Sequence, residues 1–140
     1  MLNERTLIIE AACAAWEAGN PRAVVADFAD DVKFQVHAPR DASFVGAGSG
    51  RAELERRLAH YLSGIDVMYY EPLLPVTQLS DDILRCRTRF VYRHRTNSME
   101  IDGTMRLLWR FSGDEIVRLE VFYDALRMRA FYDLIANVAV

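Results

Sequence analysis

Three stretches in the second half of the chain alternate between apolar and polar positions with a period of two. In segment 84–95 the odd positions carry arginine except at Val91, and the even positions carry Cys86, Thr88, Phe90 and Tyr92. Segments 99–111 and 115–124 repeat the alternation on either side of a Ser-Gly-Asp-Glu turn. This period is typical of strands that have one buried and one exposed face. The pattern predicts three long strands, of which the last two form a hairpin.

A period close to 3.6 residues predicts helices elsewhere. Segment 4–18 has apolar residues at helical spacing and ends before Gly19. Asn20 and Pro21 suit the N-cap and first position of a second helix, which we expect to end at about Phe28. Segments 51–62 and 125–136 predict a third helix and a closing helix.

The remaining segments predict extended structure and a loop. After a predicted turn at Asp30 and Asp31, residues 32–37 alternate as a half-buried strand. The glycine-rich segment 38–50 predicts a mobile rim. Segment 65–79 predicts an edge strand or a bulged strand, because Pro72 and Pro75 cannot donate to a central ladder.

The order of these elements predicts one α+β domain over residues 1–140, because helices come first and a run of antiparallel strands follows. The net charge of −3 gives no reason to expect a nucleic acid or an anionic membrane as partner. We therefore expect the arginine face of segment 84–95 to meet carboxylates of adjoining strands, namely Glu100, Asp102 and Glu120.

The positions of the cysteines and histidines indicate the redox state of the cellular compartment and whether a metal site is expected. Cys13 and Cys86 lie in apolar surroundings, which favours buried free thiols in a reducing compartment. Charged residues interrupt the apolar N-terminus, and no apolar run reaches the length of a membrane span, so we expect a cytoplasmic protein. The histidines are scattered without paired spacing, so no metal site is predicted.

Several motifs together resemble a known superfamily. They are WEAGNPRAVVADFADDVKF, the glycine-rich loop, the helix after it, and WRFSGDEIVRLEVFYDALRMRAF. This combination is similar to the SnoaL-like branch of the nuclear transport factor 2-like (ketosteroid-isomerase-like, cystatin-like) superfamily. The resemblance implies a curved antiparallel sheet that forms a cone closed by the N-terminal helices. It also implies a homodimer through the outer sheet face and enzymes that work without metal or organic cofactor.

Comparison with the superfamily's catalytic positions bears on two chemistries. The ketosteroid isomerase positions hold Ala12, Val36 and Leu107, so that mechanism lacks its base and its oxyanion donors. The limonene epoxide hydrolase pattern is disfavoured, because alternation places Asp102 and Arg106 on the face opposite Met105 and Leu107 and its last-strand aspartate falls on Val121. The SnoaL-like cyclases use a histidine and an aspartate, and the resemblance points to His37 and Asp124 as catalytic candidates.

Each catalytic candidate has a structural alternative. Asp124 precedes the predicted closing helix, where it would serve as an N-cap. In an apolar pocket the same carboxyl group would have a raised pKa suited to acid or base catalysis. His37 stands where the first strand meets the predicted rim, and a solvent-exposed loop histidine is its structural alternative.

The sequence predicts an apolar pocket without naming its ligand. Its predicted binding residues are Trp16, Phe34, Val36, Phe90, Tyr92, Met105, Leu107, Trp109, Val121 and Tyr123. Two functions remain open for a protein that binds a small apolar molecule. One is cofactor-free isomerisation, cyclisation, dehydration or hydrolysis, and the other is a non-catalytic binding or dimerisation module.

Overall fold

The fold consists of three helices and six strands in the part of the chain that the structure describes. The computed structural model describes residues 2–37 and 46–123. The helices are α1 (Leu2–Glu17), α2 (Pro21–Val24) and α3 (Arg51–Leu62), and the strands are β1 (Phe28–His37), β2 (Ala47–Ser49), β3 (Ile65–Gln78), β4 (Ile83–His94), β5 (Glu100–Ser112) and β6 (Glu115–Tyr123). The α+β class predicted from the order of elements is confirmed.

The strands form one curved sheet in the order β2-β1-β6-β5-β4-β3, and the N-terminal helices pack on it. Neighbouring strands pair antiparallel except β1 and β6, which pair parallel. The central hairpin of β5 and β6 turns at Gly113, whose φ of 59° is readily adopted only by glycine. The cone architecture implied by the resemblance is confirmed.

The period-two pattern separates the two faces of the sheet as predicted. In β4 the side chains of Cys86, Thr88, Phe90 and Tyr92 are all buried, whereas Arg87 between them is exposed. In β5 every second side chain is buried in the same way. We refer below to the face toward the helices as the inner face and to the opposite face as the outer face.

Strand β3 lies at one edge of the sheet, as its prolines predict. Its register with β4 shifts between Val67 and Tyr69 and again between Leu73 and Thr77. Because each bulge adds a residue without a cross-strand partner, alternation in the sequence does not assign the inner face of β3. This matters for the site, since Tyr70 of β3 is buried.

Three predicted boundaries near the N-terminal half are wrong. The side chain of Asn20 caps α2 as predicted, by accepting from the backbone nitrogen of Ala23 at 3.1 Å, but the helix ends at Val24 and not near Phe28. The predicted turn at Asp30 and Asp31 lies inside β1. This strand already starts at Phe28, whose side chain is buried in the core. Part of the predicted rim, Ala47–Ser49, is strand β2 and pairs with β1.

The predicted ladder of carboxylates beside the arginines of β4 is also wrong for most of the strand. Asp66 of β3 accepts hydrogen bonds from Arg93 and from Arg95, the residue after β4. Glu120 pairs with Arg118 of its own strand at 2.8 Å. In the described part of the chain no ion pair is formed by Arg85, Arg87 or Arg89, which face Leu108, Arg106 and Thr104 of β5.

One buried cation connects α1 to two turns. The guanidinium group of Arg5 donates to the backbone oxygens of Gly113, at 2.9 and 3.1 Å, and of Asp81, at 2.9 Å. It also lies 5.0 Å from the ring centroid of Phe111. The sequence analysis did not single out Arg5, because nothing in the helical pattern distinguishes it from an exposed arginine.

Some predictions fall outside the described ranges. These are the closing helix at 125–136, most of the rim at 38–45 and the role of Asp124. The homodimer through the outer face stays a prediction. Cys13 and Cys86 are buried free thiols, as predicted. Among the residues described, no helix combines the length and apolar character needed to cross a membrane.

Candidate functional site

An internal cavity lies between the helices and the inner face of the sheet. It is lined by residues of every element except β2, namely Ala12, Cys13, Trp16, Val24, Phe34, Val36, Leu54, Leu58, Tyr61, Tyr70, Tyr92, Met105, Leu107, Trp109, Leu119, Val121 and Tyr123. Strands β1, β5 and β6 contribute to it through the alternation described above. Helix α1 contributes through side chains at i and i+4 spacing, such as Ala12 and Trp16.

Nine of the ten predicted binding residues line this cavity. Phe90 does not, because it lies behind the lining and packs against Tyr92 and Tyr123, with ring centroids 4.6 and 5.6 Å away. Ala12, Val36 and Leu107, which replace the ketosteroid isomerase groups in the sequence comparison, are also part of the lining. These three apolar residues therefore stand in the cavity wall at positions where the sequence comparison expected catalytic polar groups.

Several lining residues were not predicted from the sequence, of which Tyr61 and Tyr70 change the site most. Tyr61 of α3 stacks on Trp16 of α1 with ring centroids 6.0 Å apart and an interplanar angle of 5°. Tyr70 meets Trp16 edge-on at 6.4 Å. The helical spacing at 54, 58 and 61 was a usable signal for Tyr61, whereas the bulge in β3 hides the orientation of Tyr70.

Hydrogen-bonding groups in the lining concentrate at one place. The indole nitrogen of Trp16 donates to the hydroxyl oxygen of Tyr92 at 3.1 Å. The hydroxyl groups of Tyr92 and Tyr123 lie 3.2 Å apart and share a hydrogen bond. We call these three groups the Trp16–Tyr92–Tyr123 cluster. They form a hydrogen-bonded polar site in a cavity whose lining is mostly apolar.

Two further polar groups of the lining bond to sulfur. The hydroxyl of Tyr70 donates to Met105 Sδ at 3.3 Å, and the indole nitrogen of Trp109 donates to Cys86 Sγ at 3.2 Å. Burial raises the pKa of Tyr70 well above its ordinary value, and burial raises the pKa of Cys86 to about 11. Near neutral pH these groups are therefore uncharged, which preserves the low polarity of the cavity.

The lining contains no carboxylate, imidazole or basic side chain among the described residues. Within the same residues there is no group of three or more histidine, cysteine, aspartate or glutamate side chains able to hold a metal ion. An isolated charge in such surroundings costs several kcal/mol. The geometry thus suits an uncharged guest.

The volume of the cavity limits the size of that guest. The cavity measures about 70 Å³. An apolar protein cavity of roughly 150 Å³ accommodates benzene. A guest smaller than benzene fits the cavity as it stands, and a larger one needs the aromatic side chains of the lining to rotate.

His37 lies on the outer face of the sheet and is not part of the cavity lining. Val36 and Val121 pair across β1 and β6 and line the cavity, so the next pair, His37 and Phe122, points to the opposite face. The imidazole stacks on Phe122 with ring centroids 4.4 Å apart, and its Nε2 lies 3.4 Å from Glu120 Oε2. The structure does not bring His37 to the Trp16–Tyr92–Tyr123 cluster, and its catalytic role stays a prediction.

The chain belongs to the SnoaL-like domain family, whose model matches residues 9–119. The matched region contains the second half of α1, the helices α2 and α3, the strands β1 to β5 and all but two of the cavity-lining residues. The recognition of the nuclear transport factor 2-like fold from sequence motifs is thereby confirmed. The sequence has no significant match among curated proteins.

Solved structures with the same fold have low sequence identity to the chain. A Bacillus subtilis protein provisionally named an isomerase is 11% identical, with a TM-score of 0.81 and coverage of 94% of each chain. A hypothetical Catenulispora acidiphila protein with a ketosteroid isomerase-like fold, in complex with trimethylamine, is 22% identical, with a TM-score of 0.74 and coverage of 88% of this chain and 89% of that one. TerC co-crystallised with polyporic acid is 16% identical, with a TM-score of 0.75 and coverage of 95% and 98%. At these identities the similarity shows the fold.

Proposed function

We propose that this protein binds a small, uncharged, largely apolar molecule in the inner cavity. The carrying observation is the composition of the lining, in which apolar and aromatic side chains surround the Trp16–Tyr92–Tyr123 cluster. Sites for small molecules generally combine an apolar lining with a few polar groups that fix the ligand's orientation. Here the two tyrosine hydroxyls are the groups suited to bind one carbonyl or hydroxyl of the ligand.

Ligand charge is the property on which the cavity discriminates most strongly. A carboxylate or an ammonium group would leave water for surroundings that hold no counterion among the described residues. The resulting loss of hydration, several kcal/mol, exceeds what two phenolic hydroxyls return. We therefore expect an uncharged compound to bind and its charged analogues of the same shape to be rejected.

Binding is better supported than catalysis by the described part of the chain. Acid/base chemistry needs a titratable group within hydrogen-bond reach of the reacting atom. The lining offers only tyrosines and a cysteine, and burial raises the pKa of Tyr70 and of Cys13. Isomerase, cyclase, dehydratase or hydrolase activity through Asp124 stays a prediction, because Asp124 follows the described residues.

Structures of similar proteins are consistent with a small-molecule function. Two proteins of this fold have structures with small organic molecules, trimethylamine in one case and polyporic acid in the other. A third carries a provisional isomerase name. These similarities support the class of function, whereas the uncharged, compact character of the ligand follows from this chain's own cavity.

Titration with three small compounds of one shape tests the proposal. Acetone, isopropylammonium and acetate each have four heavy atoms in the same branched arrangement, are smaller than benzene and differ in charge. We expect saturable binding of the ketone alone, measured by isothermal titration calorimetry at pH 7. Equal binding of all three compounds, or no binding of the ketone, would contradict the proposal.

A matched pair of variants locates the binding. Ala12 lies in the cavity lining, and Ala14 lies on the exposed side of the same helix. Ala12→Leu adds three carbons to the cavity and should abolish ketone binding, whereas Ala14→Leu should leave it unchanged. Tyr123→Phe provides a second test if Ala12→Leu is too unstable to fold. This variant removes one hydroxyl of the cluster and should lower the affinity for the ketone about threefold or more.

A further inference from the structure

Three cations lie side by side across one end of the outer face. Arg110 of β5 pairs directly with Arg118 of β6, and Arg118 pairs with Lys33 of β1. Directly opposite residues on neighbouring strands have Cβ atoms about 5 Å apart, and like charges at that spacing destabilise the sheet. We call these residues the cationic row.

Acidic side chains of the described residues neutralise only one member of the cationic row. The protein has more acidic than basic residues, 20 against 17, yet only Arg118 of the row forms an ion pair among the described residues, with Glu120 at 2.8 Å. That hydrogen bond uses Nε of Arg118 and leaves the two terminal nitrogens of the guanidinium group. The next strand adds a further cation, because exposed Arg85 of β4 pairs with Leu108 beside this row.

A hollow of about 190 Å³ adjoins the row. Its sides are Arg110, Arg118 and Glu120, and it also includes the apolar side chains of Ile83 and Leu108. Ile83 and Leu108 are half-buried and offer an apolar contact surface beside the guanidinium groups. The hollow lies on the opposite face of the sheet from the inner cavity, since Arg110 alternates with the cavity-lining Trp109.

We propose that the hollow on the outer face binds a phosphate monoester with a small apolar body. The dianionic phosphate group bridges Arg110 and Arg118, and the apolar body rests on Ile83 and Leu108. Two arginines whose Cβ atoms lie about 5 Å apart on neighbouring strands can both reach a group with several acceptor oxygens, and arginine forms paired hydrogen bonds with phosphate. A monocarboxylate can also bridge two arginines, as Asp66 does for Arg93 and Arg95, but it carries a single negative charge. Lys33, Arg85 and Arg110 form no ion pair among the described residues, so a dianion compensates more of the charge.

Glu120, which also borders the hollow, already has two hydrogen-bond partners. Its carboxylate is held by Arg118, whose hydrogen bond is the largest cause of the lowered pKa of Glu120, and by His37 on the other side. The carboxylate therefore faces its own two partners, while Arg110 has none among the described residues. Arg110 is accordingly the residue on which the site depends most.

Calorimetric titration of the full chain with phenyl phosphate tests the proposal, with benzyl alcohol as the uncharged probe. We expect saturable 1:1 binding of phenyl phosphate that weakens about fivefold or more in Arg110→Gln. Arg56→Gln is the matched control, because Arg56 is an exposed arginine on α3 that pairs with Glu53. It removes the same charge and should leave the affinity unchanged. Arg110 is exposed, so its variant keeps the fold.

Amide chemical shifts separate this site from the inner cavity. On addition of phenyl phosphate we expect shifts of the Leu108 and Arg110 amide resonances, whereas acetone should shift the amide resonances of cavity-lining residues such as Met105. The proposal is overturned if both arginine variants weaken the binding of phenyl phosphate equally, which is general charge attraction, or if its shifts cluster at cavity-lining residues. It is also overturned if phenyl phosphate does not bind, and if Arg110→Gln then abolishes dimerisation, the occupant of this face is a second copy of the chain.

Discussion

The indole nitrogen of Trp16 donates a hydrogen bond to the hydroxyl oxygen of Tyr92 across 3.1 Å, which joins the first helix to the fourth strand inside the cavity. Both side chains are buried, with 8% and 1% of their surface exposed. A buried donor that loses its acceptor costs about 1–3 kcal/mol. The hydrogen bond therefore contributes to the stability of the fold and also holds two members of the Trp16–Tyr92–Tyr123 cluster in place.

Replacing Tyr92 by phenylalanine should lower the free energy of unfolding by about 1–3 kcal/mol, because the indole N–H of Trp16 is left without its acceptor. Urea unfolding monitored by fluorescence measures the change. Tyr69→Phe is the control, since the hydroxyl of Tyr69 bonds to Glu71 at an exposed position and its loss should cost little. Equal costs for the two variants would show that the Trp16–Tyr92 bond has no special weight.

Replacing Arg5 by methionine should destabilise the protein by about 1–3 kcal/mol, because two turns lose their shared donor. The acceptor oxygens lie in exposed turns, where water takes over part of the bonding, so the cost stays within this range. Arg5→Lys should recover only part of the stability, since an ammonium group cannot reproduce the planar fork. The control is Arg56→Met, at an exposed ion pair on α3, and we expect a cost below about 0.5 kcal/mol there.

Replacing Gly48 by alanine should destabilise the fold by about 1–3 kcal/mol through overpacking. A Cβ at this position would lie 2.9 Å from Cζ of Phe34 and 3.1 Å from Nη2 of Arg57. Phe34 lines the cavity, so its displacement should also weaken ligand binding. Gly64→Ala is the matched change, because the nearest atom to its Cβ is Tyr61 O at an ordinary 3.8 Å. Thermal unfolding should show a clear loss for Gly48 and almost none for Gly64.

The stability of the protein should fall as pH rises above 9. Burial raises the pKa of Cys86 from 9.0 to about 11, so between these values the unfolded chain has lost a proton that the folded protein keeps. The folded state then binds more protons, and each such thiol lowers the free energy of unfolding by about 1.4 kcal/mol per pH unit. Cys86→Ala should reduce this slope by about that amount in urea unfolding at several pH values. An unchanged slope would contradict the burial of this thiol.

The regular strands could be predicted from the sequence because their two faces meet different surroundings. Alternation assigned the inner faces of β4, β5 and β6, and with them Tyr92, Met105 and Val121 of the cavity. The prolines of β3 indicated an edge or bulged strand, but the register shift between Val67 and Tyr69 determines which face Tyr70 occupies. The position of a bulge depends on long-range pairing, so local alternation does not locate it.

The charge pattern shows a second limit of sequence analysis. The arginines of β4 were expected to meet carboxylates, yet Arg87 lies opposite Arg106 in the sheet. A charge partner depends on strand register, and one residue of slip moves every side chain to the other face. His37 is a different case, because the alternation of residues 32–37 already places it on the face opposite Val36, where the structure also has it.

Methyl NMR of two methionines tests the central claim, binding in the inner cavity, most directly. Met105 lines the cavity and is 2% exposed, whereas Met68 on β3 is 46% exposed. On titration with acetone at pH 7 we predict a saturable shift of the Met105 methyl resonance and no saturable shift of Met68. A Met105 resonance that does not respond, or an equal response of both methionines, would contradict binding in the cavity.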